Sequence, residues 1–201
     1  MLFECFGDKC VDKVHNLVRA ESNTASPRPA MISDVSGTVY NKKNQPSCYN
    51  ERPTVVLPGV VKFLSGQVTV PKKYDLIKSG YLLLTVRGMD YDDPLCLNGV
   101  SQYFAIPDDF CRLKLCDFIG EDVCRVVQEP GTHTFKELEK KINFNTTQLL
   151  PEPPSLLGIS LLDLFAGEFG FHFQVETEGE IVLEVTVPTN DKFLQIGVTD
   201  D

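Results

Sequence analysis

Four of the seven cysteines, Cys96, Cys111, Cys116 and Cys124, fall together in one stretch of this 201-residue chain. Cysteine is a metal ligand, a redox thiol or a disulfide partner, and spacing separates the three. Structural zinc sites favour cysteine pairs two to four residues apart, usually two such pairs or one with two histidines. Here the pattern is C-x₄-C-x₇-C, and the nearest histidine is His133. Thioredoxin-like chemistry needs C-x-x-C at the start of a helix in a βαβ unit, and neither is present. Acyl-transfer catalysis needs a nucleophile, a base and an orienting group. The chain has three histidines, His15, His133 and His172, and lacks both G-x-S-x-G and H-E-x-x-H. The sequence therefore points to no catalytic residue, no metal and no cofactor. The acidic run at 90–94 and the pair Asp108-Asp109 do not follow EF-hand spacing and read as solvated turns.

Disulfides remain. The four clustered cysteines sit in loop-like sequence punctuated by Pro94, Gly99, Pro107 and Gly120. An even local set of this kind reads as two bridges, and three connectivities stay open by spacing. Asn145-Thr146-Thr147 is an N-glycosylation sequon in a polar stretch, with Asn145 as the acceptor. Both features suit a secretory route. The first residues, MLFECFGDKCVDKVHNL, show no signal peptide, since only Met1 to Phe3 are apolar before Glu4.

The elements that must hold these residues are mostly strands. Residues 60–71 and 79–88 are β-rich runs bounded by Gly and Pro. Residues 168–177 alternate, with Phe169, Phe171, Phe173 and Val175 on one face and Glu168, His172, Gln174 and Glu176 on the other. Residues 180–188 also alternate, and the short Thr177-Glu178-Gly179 turn makes the two runs an antiparallel hairpin. The expected fold is all-β, an antiparallel β-sandwich or β-cup with an apolar internal cavity. Residues 1–52 read as an N-terminal extension: a short helix over Phe3 to Arg19, then a Ser/Asn/Pro-rich linker. Residues 53–201 read as the β domain. The segment 149–167 is proline-rich and then almost continuously apolar, through Leu156, Leu157, Ile159, Leu161, Leu162, Leu164 and Phe165. It reads either as a buried core segment or as a greasy loop at a cavity mouth.

Three stretches in order carry a resemblance: PTVVLPGVVKFLSGQVTVP (53–71), DPLCLNGVSQYFAIPDDFCRLKLC (93–116) and CRVVQEPGTHTF (124–135). With the apolar segment and the closing hairpin, the chain resembles the ML-domain lipid-recognition family, its sphingolipid activators in particular. The resemblance implies the bridges Cys96–Cys111 and Cys116–Cys124, and a cup that holds acyl chains. It implies a rim at Leu156, Leu157, Ile159, Leu161, Leu162, Leu164 and Phe165, and a wall at Phe169, Phe171, Phe173 and Val175. The family also pairs its first cysteine with one in the final strand. Residues 180–188 contain no cysteine, so Cys5, Cys10 and Cys48 have no implied partner.

The expected function is a non-catalytic activator that extracts, presents or transfers a glycolipid or phospholipid. Its partners would be the lipid, a membrane surface touched peripherally, and a lysosomal glycosidase. The alternative is a protein-interaction module or receptor accessory subunit that uses the apolar rim as an interface. The expected location is lysosomal or extracellular. Nucleic acid is excluded as a partner, because the chain carries a net charge of −9 and no basic stripe.

Overall fold

The computed structural model describes residues 10–104, 106–150, 152, 155–156, 159–160 and 166–198. The first half supplies β1 (Leu17–Ala20), β2 (Met31–Asn41), β3 (Cys48–Tyr49), β4 (Arg52–Val55), β5 (Gly59–Val70), α1 (Leu76–Ser79), β6 (Tyr81–Gly88), β7 (Cys96–Leu97) and β8 (Val100–Ser101). The second half supplies β9 (Arg112–Lys114), α2 (Leu115–Ile119), α3 (Glu121–Val127), β10 (Gly131–Thr134), α4 (Phe135–Ile142), β11 (Thr147–Leu150), β12 (Ser155–Leu156), β13 (Ile159–Ser160), β14 (Gly167–Thr177), β15 (Glu180–Val187) and β16 (Leu194–Ile196).

Two sheets pack together as an antiparallel-rich sandwich, the expected all-β fold. In the first, β2 lies between β1 and β5, and β10 and β11 share the far edge of β5. In the second, β14 is central. It pairs with β6 on one side and with β15 and β16 on the other. The far edge of β6 takes β7 and β9, and β16 runs parallel to β4. The sheets are stitched at one edge, where Thr186 and Thr189 donate backbone N–H groups to the carbonyls of Glu21 and Arg19 (3.2 and 2.9 Å).

The period-2 pattern dictates the core. Leu82, Val175, Leu183 and Val185 come from the inner face of the second sheet, and Val70 comes from the first. Tyr74, Leu76, Leu115 and Cys124 close that end. Each aliphatic side chain buried here contributes about 1.5–3 kcal/mol.

The expected extension is corrected. Residues 11–15 form a hydrogen-bonded turn rather than a helix, and β1 follows directly. The expected linker contains β2, eleven residues long and paired on both sides. The boundary placed at residue 52 falls at the start of β4, inside the second sheet. The sequence hid β2 because Ser33, Asp34, Ser36 and Gly37 interrupt its alternation. The β2–β5 register shifts at those same residues, so they are accommodated as bulges.

Candidate functional site

The row expected to form a wall is assembled by β14. Phe169, Phe171, Phe173 and Val175 share one face, and the register extends the row sideways onto both neighbours. Phe171 lies between Val86 and Val187, Phe173 between Leu84 and Val185, and Val175 between Leu82 and Leu183. Phe171 and Phe173 stack with centroids 6.1 Å apart and planes 9° from parallel. Burial along the row is uneven. Phe169 and Val175 at its ends are 4% and 9% exposed, while Phe171 and Phe173 between them are only half-buried. Their neighbours Leu84, Val86 and Val187 are half-buried too. A close-packed sandwich centre buries such residues fully. On the other sheet, the Phe63 ring lies 4.9 Å from that of Phe135, which stacks on Phe144 at 5.9 Å. Aromatic and branched aliphatic surface of this kind, with no charge among it, accepts hydrocarbon.

The expected rim falls mostly outside the described residues. Leu156 and Ile159 are backbone partners in the β12–β13 ladder. Leu157, Leu161, Leu162, Leu164 and Phe165 lie outside the described residues.

A second apolar surface went unread in the sequence. The excursion from β6 to β9 exposes Met89 (60%), Val100 (53%), Phe104 (108%) and Phe110 (44%). The Cys96–Cys111 disulfide ties its ends, and Asp108 accepts the Ser101 N–H at 2.8 Å. The signal was present in Tyr103-Phe104-Ala105-Ile106, where large apolar residues interrupt a turn-rich, acidic stretch.

All six described cysteines are bridged. Cys96–Cys111 and Cys116–Cys124 are the pairs the family resemblance implies, and Cys10–Cys48 is a third. None of these six is a thiolate available to zinc. Cys10 and Cys48, for which the resemblance implied no partner, are thus bridged to each other. Three disulfides are compatible with a protein that folds in an oxidising, extracellular or lysosomal, compartment. His133 lies in β10 and is 6% exposed, with Nε2 at 2.8 Å from the Glu129 carbonyl. Asn145 is exposed, and its side-chain oxygen accepts the Thr147 N–H at 2.9 Å.

Two ion-pair sets brace the second sheet. Arg52 of β4 donates to Glu168 (2.5 Å), to Asp191 (2.6 Å) and to the Phe193 carbonyl (3.1 Å). Arg28 reaches Glu184 of β15 at 2.6 Å, and Gln174 donates to the same carboxylate at 2.9 Å. The Arg28 hydrogen bond holds the Glu184 carboxyl below its ordinary value, against the effect of burial. For Asp191, burial pushes upward, and the Arg52 hydrogen bond, backbone N–H groups and the Arg52 charge outweigh it, so the net shift is down.

Comparison of the chain with protein-family models and with curated proteins returned no match.

Proposed function

We propose that this protein binds lipid without catalysing a reaction: it takes a glycolipid or phospholipid from a membrane and presents or transfers it. The observation that carries this reading is the half-buried Phe171–Phe173 stack, on an inward face where a closed sandwich would have none. Acyl chains laid against Phe171, Phe173, Leu84 and Val187 would complete that burial. Each methylene removed from water contributes about 0.8 kcal/mol, so one long chain supplies substantial affinity. The order of sequence features resembling the sphingolipid activators supports the same reading, with Leu156, Leu157, Ile159, Leu161, Leu162, Leu164 and Phe165 as the rim of an apolar cavity.

In this proposal the exposed Met89, Val100, Phe104 and Phe110 touch the bilayer while the lipid leaves it. The polar head stays outside, accessible to a lysosomal glycosidase. Acidic conditions neutralise part of the carboxylate excess and ease approach to an anionic bilayer. Asn145, exposed on the loop before β11, carries the glycan.

The test is transfer of a fluorescent sphingolipid or phospholipid between vesicles at about pH 4.5 and pH 7. Saturable, protein-dependent transfer is expected. No transfer at either pH sinks the proposal and leaves the apolar surfaces as a protein interface.

A further inference from the structure

We infer that the outer face of β14 holds a second site, which binds an oxyanion carried on an apolar or ring-shaped body. Alternation along β14 sends Gly170 and His172 to the outer face, where they line a cleft of about 250 Å³ that Phe171 also borders. Its floor is Gly170, which pairs with Arg87 of β6. Below it, the cross-strand row Thr85–His172–Thr186 forms one end. Lys192 and the Phe193 ring form the facing wall.

Three observations select the ligand. First, every ionisable side chain lining the cleft is a base: Arg87, Lys192 and His172. In a chain with 28 carboxylates against 19 lysines and arginines, that is a local reversal of sign. Second, the two stronger bases have no acidic partner, although the Lys192 ammonium lies over the Phe193 ring at 5.1 Å and His172 Nδ1 is 3.4 Å from the Thr186 hydroxyl. Among the described residues no carboxylate pairs with Arg87 or Lys192, whereas the carboxylates nearby in sequence and register are taken. Glu168 and Asp191 are bound by Arg52, and Glu184 by Arg28. Third, the hollow exists because position 170 is glycine, and the backbone there does not require it. Gly170 is not among the positive-φ residues, and an added Cβ would lie 3.5 Å from the Lys192 carbonyl and 3.7 Å from the Phe193 ring, ordinary contacts. The Arg87 fork suits bidentate contact with a phosphate, sulfate or carboxylate, and Lys192 adds a point charge. The Phe193 ring, with the Lys192 ammonium 5.1 Å from its centroid, offers its remaining surface to the apolar body. The volume is below the roughly 300–1,000 Å³ of drug-sized sites, so the site takes a small anion or a head group rather than a whole lipid.

The experiment is an NMR titration of the full ¹⁵N-labelled, disulfide-bonded chain with phenyl phosphate, inorganic phosphate and uncharged benzyl alcohol. Phenyl phosphate should shift the amides of Arg87, Gly170, His172, Lys192 and Phe193 saturably, inorganic phosphate more weakly, and benzyl alcohol hardly at all. Arg87→Ala and Lys192→Ala should each weaken binding about three- to ten-fold, the range for loss of one hydrogen bond. Gly170→Leu should abolish it while the remaining spectrum keeps native dispersion. Absence of saturable shifts up to about 20 mM phenyl phosphate overturns the inference. Equal response to benzyl alcohol, or unchanged affinity in Arg87→Ala and Lys192→Ala, does so too. Vesicle transfer reads the inner face, so its failure and the failure of this site are separately visible.

Discussion

Phe171 and Phe173 have the same neighbours in kind, yet they should respond differently to truncation. Phe173 packs against the core cluster that includes Val175 and Val185, and Phe171 stands one step further from it. Removing a fully buried phenylalanine costs about 3–5 kcal/mol. Phe173→Ala should therefore cost about 2–3 kcal/mol and Phe171→Ala about 1 kcal/mol, since both rings are half-buried and the second has less core contact. Under the proposed function, Phe171→Ala should still lower lipid transfer several-fold. Urea unfolding and the transfer assay, run on the same variants, check both effects. A Phe171→Ala protein with unchanged transfer would reduce these rings to packing. That the four wall residues share a face was legible from alternation alone. Which of them keeps accessible surface was not, because that depends on what the opposite sheet places against them.

Among the elements, legibility followed the strength of local signals. The β14–β15 hairpin emerged with its turn at Glu178-Gly179, where both residues adopt positive φ (54° and 79°), the geometry of a two-residue I′ connection. α4 was missed although its signals were in the sequence: Thr134 caps the Glu137 N–H, and Lys140 and Lys141 occupy the last turn. Cys10–Cys48 was out of reach, because its pairing depends on β1, β2 and β3, which the bulged, Ser-rich sequence concealed. The Cys96–Cys111 bridge makes a prediction at this scale. It closes a segment with a sequence separation of 15, for which the chain-entropy account gives about 3 kcal/mol. Cys96→Ser with Cys111→Ser should lower stability by about that amount in urea unfolding and increase hydrogen exchange across 96–111. Phe104→Asp separates anchoring from folding. Its ring is fully exposed, so melting should move by less than about 1–2 °C, while sedimentation with phosphatidylcholine vesicles should fall several-fold. Equal sedimentation of the variant and the wild-type chain would remove the excursion from any role in membrane contact.

For the whole molecule, acid is the informative stress, because carboxylates outnumber bases and two ion-pair sets join segments distant in the chain. Arg28 links the segment before β2 to β15, and Arg52 links β4 to β14 and to the residues before β16. Glu184 and Asp191 are both held below their ordinary values of 4.5 and 3.8. A carboxyl with a depressed folded-state pKa favours the folded form once it is ionised. Its contribution is complete above the ordinary value and is lost as pH falls through the folded one. Stability should therefore stay nearly level from about pH 7 to pH 5 and fall below about pH 4. Glu184→Gln should lower the melting temperature by about 2–4 °C at neutral pH, equivalent to roughly 1 kcal/mol for a pair whose arginine is partly solvated. The difference from wild type should shrink by about pH 3, where the wild-type carboxyl also loses its charge. Calorimetric melting of both proteins across this range checks the sign. A difference that is constant with pH would assign the loss to packing rather than to charge. The expected profile matters for the proposed function, because carboxylic acids in water begin to protonate at about pH 4.5–5, while Glu184 and Asp191 are held below their ordinary values. The surface can lose part of its repulsion from an anionic bilayer before the pairs that brace the second sheet give way.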